Sequence, residues 1–169
     1  MKKSKKIIQT ILIILLIAFI VIQFFRPEKN ISTTISASDI TKVYPVPENV
    51  QQILTRSCYD CHSNNTHYPW YAEVQPSAWY LANHIKDGKD EINFNEFGTY
   101  RIARQNKKMK ECIKQIKDGD MPIEAYTLIH RDAKLSDADK QTVISWCESI
   151  QKTLQEKYPP DSLVIKRQQ

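Results

Sequence analysis

The sequence is poor in glycine and cysteine, and its N-terminal end lacks acidic residues. Only three of the 169 residues are Gly, which argues against a β-rich fold with many tight turns, and four Cys are too few for a disulfide-built miniprotein. Residues 1–26 contain five Lys or Arg and no acid, which leaves 19 basic and 19 acidic residues in the rest. The net charge of +5 therefore belongs to one end and gives no argument for nucleic-acid binding, which we do not expect.

A long apolar run follows four N-terminal lysines. Residues 7–25 are interrupted only by Gln9, Thr10 and Gln23, and a helix of this length reaches about 28 Å, enough for the hydrocarbon core of a bilayer. A cleaved signal peptide would have a shorter apolar core with a small-residue cleavage site close behind it. We therefore expect residues 1–26 to be an uncleaved, single-pass signal anchor.

The charges around the run predict its orientation. Four lysines precede it and one arginine follows it, which places the N-terminus in the cytoplasm of a bacterium and the rest of the chain in the periplasm. Residues 27–47 are small and polar and are predicted to be a flexible tether, and residues 159–169 a C-terminal tail.

Residues 48–158 are predicted to form an all-α domain, because apolar residues recur at helical spacing and no alternating strand competes. The first helix runs up to Cys58, and the second starts at Pro76 with Gly88 as its C-cap. The third covers about residues 100–118 and is ended by Gly119. The fourth begins at Ser136, in a sequence similar to a capping box, and stops before residue 159.

Cys58-Tyr59-Asp60-Cys61-His62 is the clearest chemical motif. In C-x-x-C-H the two thiols form thioethers with the haem vinyl groups, and the adjacent His ligates the iron. A redox dithiol would favour a βαβ pattern around the motif, and none is present. A zinc site that recruits His67 would crowd all its ligands into ten residues, whereas structural zinc usually pairs two separated couples. The motif predicts one covalently bound haem c.

The residues around this motif resemble known haem proteins. The motif, the Gly119-Asp120-Met121-Pro122 loop and a capped C-terminal helix are similar to a class I monohaem cytochrome c. More closely, the chain resembles a bacterial haem-binding domain family, whose members are often membrane-anchored and exported. Six segments carry this second resemblance: residues 58–66, 68–71, 93–94, 119–122, 126–130 and 134–136. The resemblance covers about residues 40–155 and implies a cytochrome c-like fold of packed helices, without assigning a reaction.

The second axial ligand of the haem iron decides between electron transfer and open-site chemistry. Met121 lies in a loop just after a helix stop and is the predicted ligand, with His84 as the alternative. Three other candidates fit less well. His67 is too close to His62 in the chain, Met109 lies on the apolar stripe of its helix, and His130, in a loop, is the weaker histidine. An empty position would leave an open site.

A His62 and Met121 pair would fill both axial positions and raise the reduction potential relative to two imidazoles. We therefore predict a membrane-tethered periplasmic c-type cytochrome that carries single electrons between redox proteins of the membrane or periplasm, rather than an enzyme. Two alternatives stay open: a peroxidase-like or gas-binding haem protein with a labile sixth ligand, and a zinc-structured interaction domain.

Some side chains are candidates for the haem pocket, although the sequence does not choose among them. Four aromatic residues near the motif are candidates either for the wall of the haem pocket or for the ordinary core: Trp70, Tyr71, Trp79 and Tyr80. Three arginines are candidate partners for the haem propionates: Arg56, Arg101 and Arg104.

Cys112 and Cys147 are left over from the haem motif, and each falls on the apolar stripe of its own helix. They are either two inert buried thiols or a disulfide that joins the third helix to the fourth.

Overall fold

The computed structural model describes residues 2–32, 34 and 36–165. The last four residues of the predicted tail, and Thr33 and Ile35 of the predicted tether, lie outside the described residues. Within that part of the chain the fold is all-α, as predicted, and the only pairing of strand type is an isolated bridge between Ile31 and Asn65. The α-helices are α1 (Lys2–Ile22), α2 (Ile40–Val43), α3 (Glu48–Ser57), α4 (Tyr59–His62), α5 (Ser77–Glu91), α6 (Ile102–Asp118), α7 (Glu124–Ile129) and α8 (Asp137–Lys157).

Short 3₁₀ turns connect several of these helices. They are Trp70–Glu73, Phe94–Thr99, Arg131–Ala133 and Pro160–Ser162.

Helix α1 is long and apolar. It has 21 residues, about 31 Å at the rise of an α-helix, and a mean hydropathy of 2.5 over Lys3–Ile22. None of that segment is buried among the described residues, so its apolar side chains are exposed or at most partly covered. By length and composition α1 is able to cross a membrane.

The core lies where α6 packs along α8 and where α3 packs against α8. Leu54, Met109, Ile150 and Leu154 are almost completely buried there. Burial of each such side chain stabilises the fold by about 1.5–3 kcal/mol. Met109 is fully buried in this core, in agreement with the prediction from its place on the apolar stripe of the helix.

Of the three helix caps predicted at Gly88, Gly119 and Ser136, two are present in the structure. Gly119 ends α6 in the left-handed region with φ of 80°. Ser136 caps α8 in a complete capping box with Asp139. The prediction for Gly88 was wrong, since α5 continues through it to Glu91.

The reason for a glycine at position 88 is a close approach rather than a helix end. A Cβ atom there would lie 2.8 Å from the carbonyl oxygen of Cys61 and 3.2 Å from its Cβ. Gly88 therefore lets α5 contact the main chain of the C-x-x-C-H motif. This contact comes at the cost of the low helix propensity of glycine.

The segment predicted as a flexible tether is packed against the domain along most of its described length. Ile40 is fully buried, and Asp39 caps α2 through a 2.8 Å bond from the amide of Thr41. Asp39 also accepts a bond of 2.5 Å from Asn95. This corrects the predicted boundary at residue 48, because the polar composition of the segment did not show that two of its residues, Ile40 and Tyr44, enter the core.

Asn30 holds the first part of the same segment. Its amide donates to the hydroxyl of Tyr68 at 2.6 Å, and its side chain donates to Ser63 O at 2.9 Å and to Thr66 Oγ1 at 3.0 Å. Its side-chain oxygen accepts a 2.6 Å bond from Lys89. Since Ser63 and Thr66 directly follow the C-x-x-C-H motif, Asn30 joins the start of the predicted tether to that loop.

Candidate functional site

The C-x-x-C-H motif folds as one tight turn between two helices. Helix α3 ends at Ser57, and the backbone bends at Cys58 before the single turn of α4. The amides of Cys61 and His62 both donate to the carbonyl of Cys58, at 3.2 and 3.0 Å. This turn brings the two thiols and the imidazole to the wall of the same cavity.

The hydrogen bonds of His62 leave one ring nitrogen available. Its Nδ1 lies 2.8 Å from the carbonyl oxygen of Gly88 and 3.1 Å from that of Ile92. A carbonyl oxygen only accepts, so Nδ1 carries the proton and Nε2 keeps its lone pair. Burial lowers the pKa of His62, which favours the neutral ring. A neutral imidazole whose Nδ1 donates to backbone is the usual arrangement of a metal-ligating histidine.

Two cavities, of about 160 and 480 Å³, share four wall residues at this motif. The shared residues are Cys58, His62, Glu91 and Met121. The smaller cavity also has Cys61, His84 and Tyr126 in its wall. The larger cavity is mostly apolar, and its other walls include Leu54, Ile92, Phe94, Ile116, Val143 and Trp146.

Met121 reaches the cavities because of how α6 ends. The amides of Asp120 and Met121 both donate to the carbonyl of Gln115, at 3.0 and 3.3 Å, after the left-handed residue Gly119. This reversal places Met121 in the wall of both cavities, together with His62. The structure thus brings the predicted ligand and the motif together.

Of the other predicted ligands, only His84 lines a cavity. It lies in the wall of the smaller one, and its Nδ1 is 2.9 Å from the carbonyl of Tyr80. His130 is paired with the hydroxyl of Tyr71 at 2.8 Å, and His67 is exposed. Neither of these two lies in a wall of the two cavities.

The thiols of Cys58, Cys61 and Cys147 have raised pKa values, which favours their protonated form. Burial, followed by the effect of Cys112, raises the pKa of Cys58 to about 12, and burial raises the pKa of Cys61 to about 11. Cys112 and Cys147 lie in the wall of the larger cavity, and all four cysteines are unbridged. The adjacent Cys112 thiol, followed by burial, raises the pKa of Cys147 well above its usual value. Cys58, Cys112 and Cys147 therefore form one group of thiols beside the motif.

The cationic side chains at the cavity are not the predicted arginines. Lys108 is only 10% exposed, lines the larger cavity, and pairs with Glu91 and Glu111 at 2.7 Å each. Arg56 instead binds Asp139 at 3.1 Å. Lys108 was missed because it is charged, although it lies four residues before Cys112 and therefore on the same face of α6.

The remaining two arginines and the predicted aromatic walls also lie elsewhere. Arg104 stacks on Tyr100 at 4.1 Å, and neither it nor Arg101 lines the two cavities. The same is true of all four predicted aromatics: Trp70, Tyr71, Trp79 and Tyr80. The aromatic walls of the larger cavity are Phe94 and Trp146. Phe94 also stands edge-on to the ring of His62, with 6.4 Å between centroids.

These features fit a haem. The wall offers two free thiols, an imidazole nitrogen with its lone pair free, apolar contact and one orphan polar atom. That atom is Ser57 Oγ, which is buried beside the smaller cavity without a hydrogen-bond partner in the described structure. By contrast, no group of three His, Cys, Asp or Glu side chains in the described residues is arranged to hold a bare metal ion, so the zinc alternative gains no support.

Fold and site together define an all-α haem-binding protein. A family model described as a haem-binding domain matches residues 17–149, most of the chain, and the chain belongs to this haem-binding domain family. The resemblance inferred from the motifs is thereby confirmed. No curated protein and no solved structure matches the chain.

Proposed function

We propose that the protein is a membrane-anchored c-type cytochrome that carries single electrons in the periplasm. The observation that carries this proposal is the placement of Met121 in the same cavity walls as His62, Cys58 and Cys61. Haem bound there would exchange one electron between its ferric and ferrous states. The protein's part is to hold both axial positions and exclude water.

The spacing of the two thiols supports covalent attachment of the haem. Cys58 and Cys61 lie on one turn, three residues apart, and neither is engaged in a disulfide. Their addition to two vinyl groups would fix the ring beside His62 Nε2. The hydrogen bonds from His62 Nδ1 to Gly88 and Ile92 keep the imidazole in that orientation.

The axial pair sets the chemistry. A thioether from Met121 opposite His62 would leave no open position for dioxygen or peroxide, which supports an electron carrier rather than an enzyme. The proposed partners are redox proteins of the membrane or periplasm. No nucleic-acid partner is proposed, because the excess charge belongs to residues 1–26.

Helix α1 supports anchoring in the bacterial cytoplasmic membrane. It is apolar and long enough to span, and the lysines at its start favour a cytoplasmic N-terminus. The haem domain would then lie in the periplasm.

One observation favours a second candidate, a haem sensor or enzyme with a labile sixth ligand. His84 lines the smaller cavity together with Met121, so two different donors flank one space. Exchange between them would open the iron transiently to a gas or peroxide.

The test is the full chain matured in a bacterial host with c-type haem attachment machinery. We expect a low-spin haem spectrum, the weak near-infrared band of methionine ligation, and haem that resists extraction by acidified organic solvent. A Cys58→Ala, Cys61→Ala double variant should release its haem on extraction, whereas the matched Cys112→Ala, Cys147→Ala variant should not. High-spin haem in the wild type would favour the sensor or enzyme, and covalent haem in the first double variant would reject the attachment site.

The anchor is tested separately by membrane fractionation. The full chain should sediment with membranes and resist carbonate extraction. A shortened soluble form in the periplasm would instead show cleavage of residues 1–26.

A further inference from the structure

The residues that directly follow α1 are hydrogen-bonded to a buried glutamine of the haem domain. Gln75 is 1% exposed, and two hydrogen bonds fix it. Its backbone N–H donates to Gln23 Oε1 at 2.9 Å, and its side chain donates to the carbonyl of Phe25 at 2.9 Å. Trp79 Nε1 donates to the same carbonyl at 2.8 Å. These bonds join the residues that directly follow α1, Gln23 and Phe25, to Gln75 and to Trp79 in the first turn of α5.

Charged residues add to this junction. Glu73 accepts bonds from Arg26 at 2.6 Å and from Lys29 at 2.5 Å. Exposed ion pairs contribute only about 0–1 kcal/mol each, so the buried hydrogen bonds of Gln75 matter more. Together with Asn30, these contacts hold the haem domain in one orientation relative to α1.

Several exposed apolar side chains belong to the two segments that meet at this junction. Phe24 is 81% exposed and Trp70 is 80% exposed. Single exposed apolar residues are ordinary on protein surfaces, but these lie where a chain emerges from an apolar span. We call the set the seating surface; its members are Phe24, Phe25, Trp70, Val74, Trp79 and Tyr80.

We propose that the seating surface lies against the phospholipid surface of the membrane that α1 spans, so that the haem domain is held on the bilayer instead of moving freely on a tether. This inference rests on the proposed anchoring by α1. Continuity identifies the occupant, because Phe24 and Phe25 follow the last turn of α1 directly and Gln75 and Trp79 bind that segment. Tryptophan and tyrosine are also the residues enriched where proteins cross the membrane–water interface.

The position of the haem site follows from α5. From Trp79 to Gly88, which contacts the C-x-x-C-H turn, the helix rises nine residues or about 14 Å. The ring of Tyr80 lies 4.1 Å from that of His84, which lines the smaller cavity. The cavity therefore lies near the seating surface, and the electron partner it best serves is one held in the same membrane.

The experiment uses the haem-loaded full chain in phosphatidylcholine vesicles that contain a photoactivatable acyl chain. Lipid adducts are located by mass spectrometry after illumination. We expect adducts in residues 7–22 and also in residues 70–80, the latter several-fold more often than at Val164 and Ile165. Those two are matched controls because they are equally apolar and exposed but follow the Pro160–Ser162 turn, far along the chain from α1.

The outcomes separate the two proposals. Adducts in residues 7–22 without adducts in 70–80 would overturn the seating surface and leave the anchor intact, whereas their absence from 7–22 would reject the anchor itself. A Trp70→Ser, Tyr80→Ser variant should lose the adducts in 70–80 several-fold and keep those in 7–22, with an unchanged haem spectrum. Both side chains are exposed, so this variant should fold; undiminished labelling of its 70–80 segment would also overturn the proposal.

Discussion

The hydroxyl of Tyr126 donates a 2.7 Å hydrogen bond to Oδ2 of Asp60, the second residue between the two cysteines of C-x-x-C-H. Burial and the Asp60 carboxylate raise the pKa of Tyr126, so the phenol stays protonated and remains a donor. Tyr126 is on α7, immediately after the loop that carries Met121. The bond therefore ties the Met121 loop to the motif turn.

Tyr126→Phe should loosen that loop. Loss of a hydrogen bond to a charged acceptor costs about 1.5–3 kcal/mol, and part of that cost should appear as weaker methionine ligation. The near-infrared band and the denaturant midpoint measure the two effects. Tyr158→Phe, which removes a hydroxyl outside both cavities, is the matched control. Equal behaviour of the two variants would contradict the role of the bond.

Met121→Ala should give high-spin or water-ligated iron and create peroxidase-like activity, because it opens one axial position while Cys58 and Cys61 still hold the ring. His84→Ala should leave the spectrum unchanged if Met121 is the ligand. Absorption spectra of the two variants distinguish the donors. A low-spin spectrum that survives in Met121→Ala but is lost in His84→Ala would assign the ligand to His84.

Gly88→Ala should destabilise the protein, although alanine is the better helix former. Propensity alone would stabilise α5 by about 0.5–1 kcal/mol. The new Cβ would instead lie 2.8 Å from Cys61 O and force the motif turn away from α5. Thermal unfolding and haem content measure the effect, with exposed Asn83→Ala on the same helix as control. A gain of stability in Gly88→Ala would show that the contact is not tight.

The side chain of Cys112 is close enough to that of Cys147 to raise the pKa of Cys147, and we expect the two cysteines to form a disulfide once the domain is in an oxidising compartment. The bridge would close a loop of about 36 residues and stabilise the fold by roughly 3–4 kcal/mol. Thiol counting on the denatured, unreduced haem protein decides the matter. No free thiol supports the bridge, and two free thiols reject it.

Ser136→Ala should lower the stability of the domain by about 1 kcal/mol, since it removes half of the capping box of α8. Hydrogen bonds from Ser136 hold the pKa of Asp139 below its ordinary value of 3.8. The stabilisation by Asp139 is therefore present above that value and is lost as the pH falls through the lowered pKa. Unfolding midpoints against pH should converge for wild type and variant in acid, and parallel curves would contradict this account.

The features that sequence predicted correctly depend on a few neighbouring residues. The capping box at Ser136 and the left-handed turn at Gly119 need only the backbone around them. The family resemblance also rested on short contiguous segments such as the C-x-x-C-H motif, and it was confirmed over residues 17–149.

The features that sequence missed depend on residues far apart in the chain. Gly88 was interpreted as a helix end because the carbonyl of Cys61, which explains it, is 27 positions away. Lys108 was not singled out because its partner Glu91 lies on another helix. Asn30 was assigned to a tether because its bonds to Ser63, Thr66 and Lys89 are visible only in three dimensions.

The hydrogen bonds of Asn30 determine at which residue a soluble fragment of this protein should begin. A fragment that begins near Asp39 would leave Thr66, Tyr68 and Lys89 without the partners they have in the whole chain, directly behind the haem motif. One that begins at Gln23 keeps every one of those bonds and the contacts to Gln75. The natural place to remove the apolar helix is therefore Ile22, and the residues that look dispensable are part of the domain.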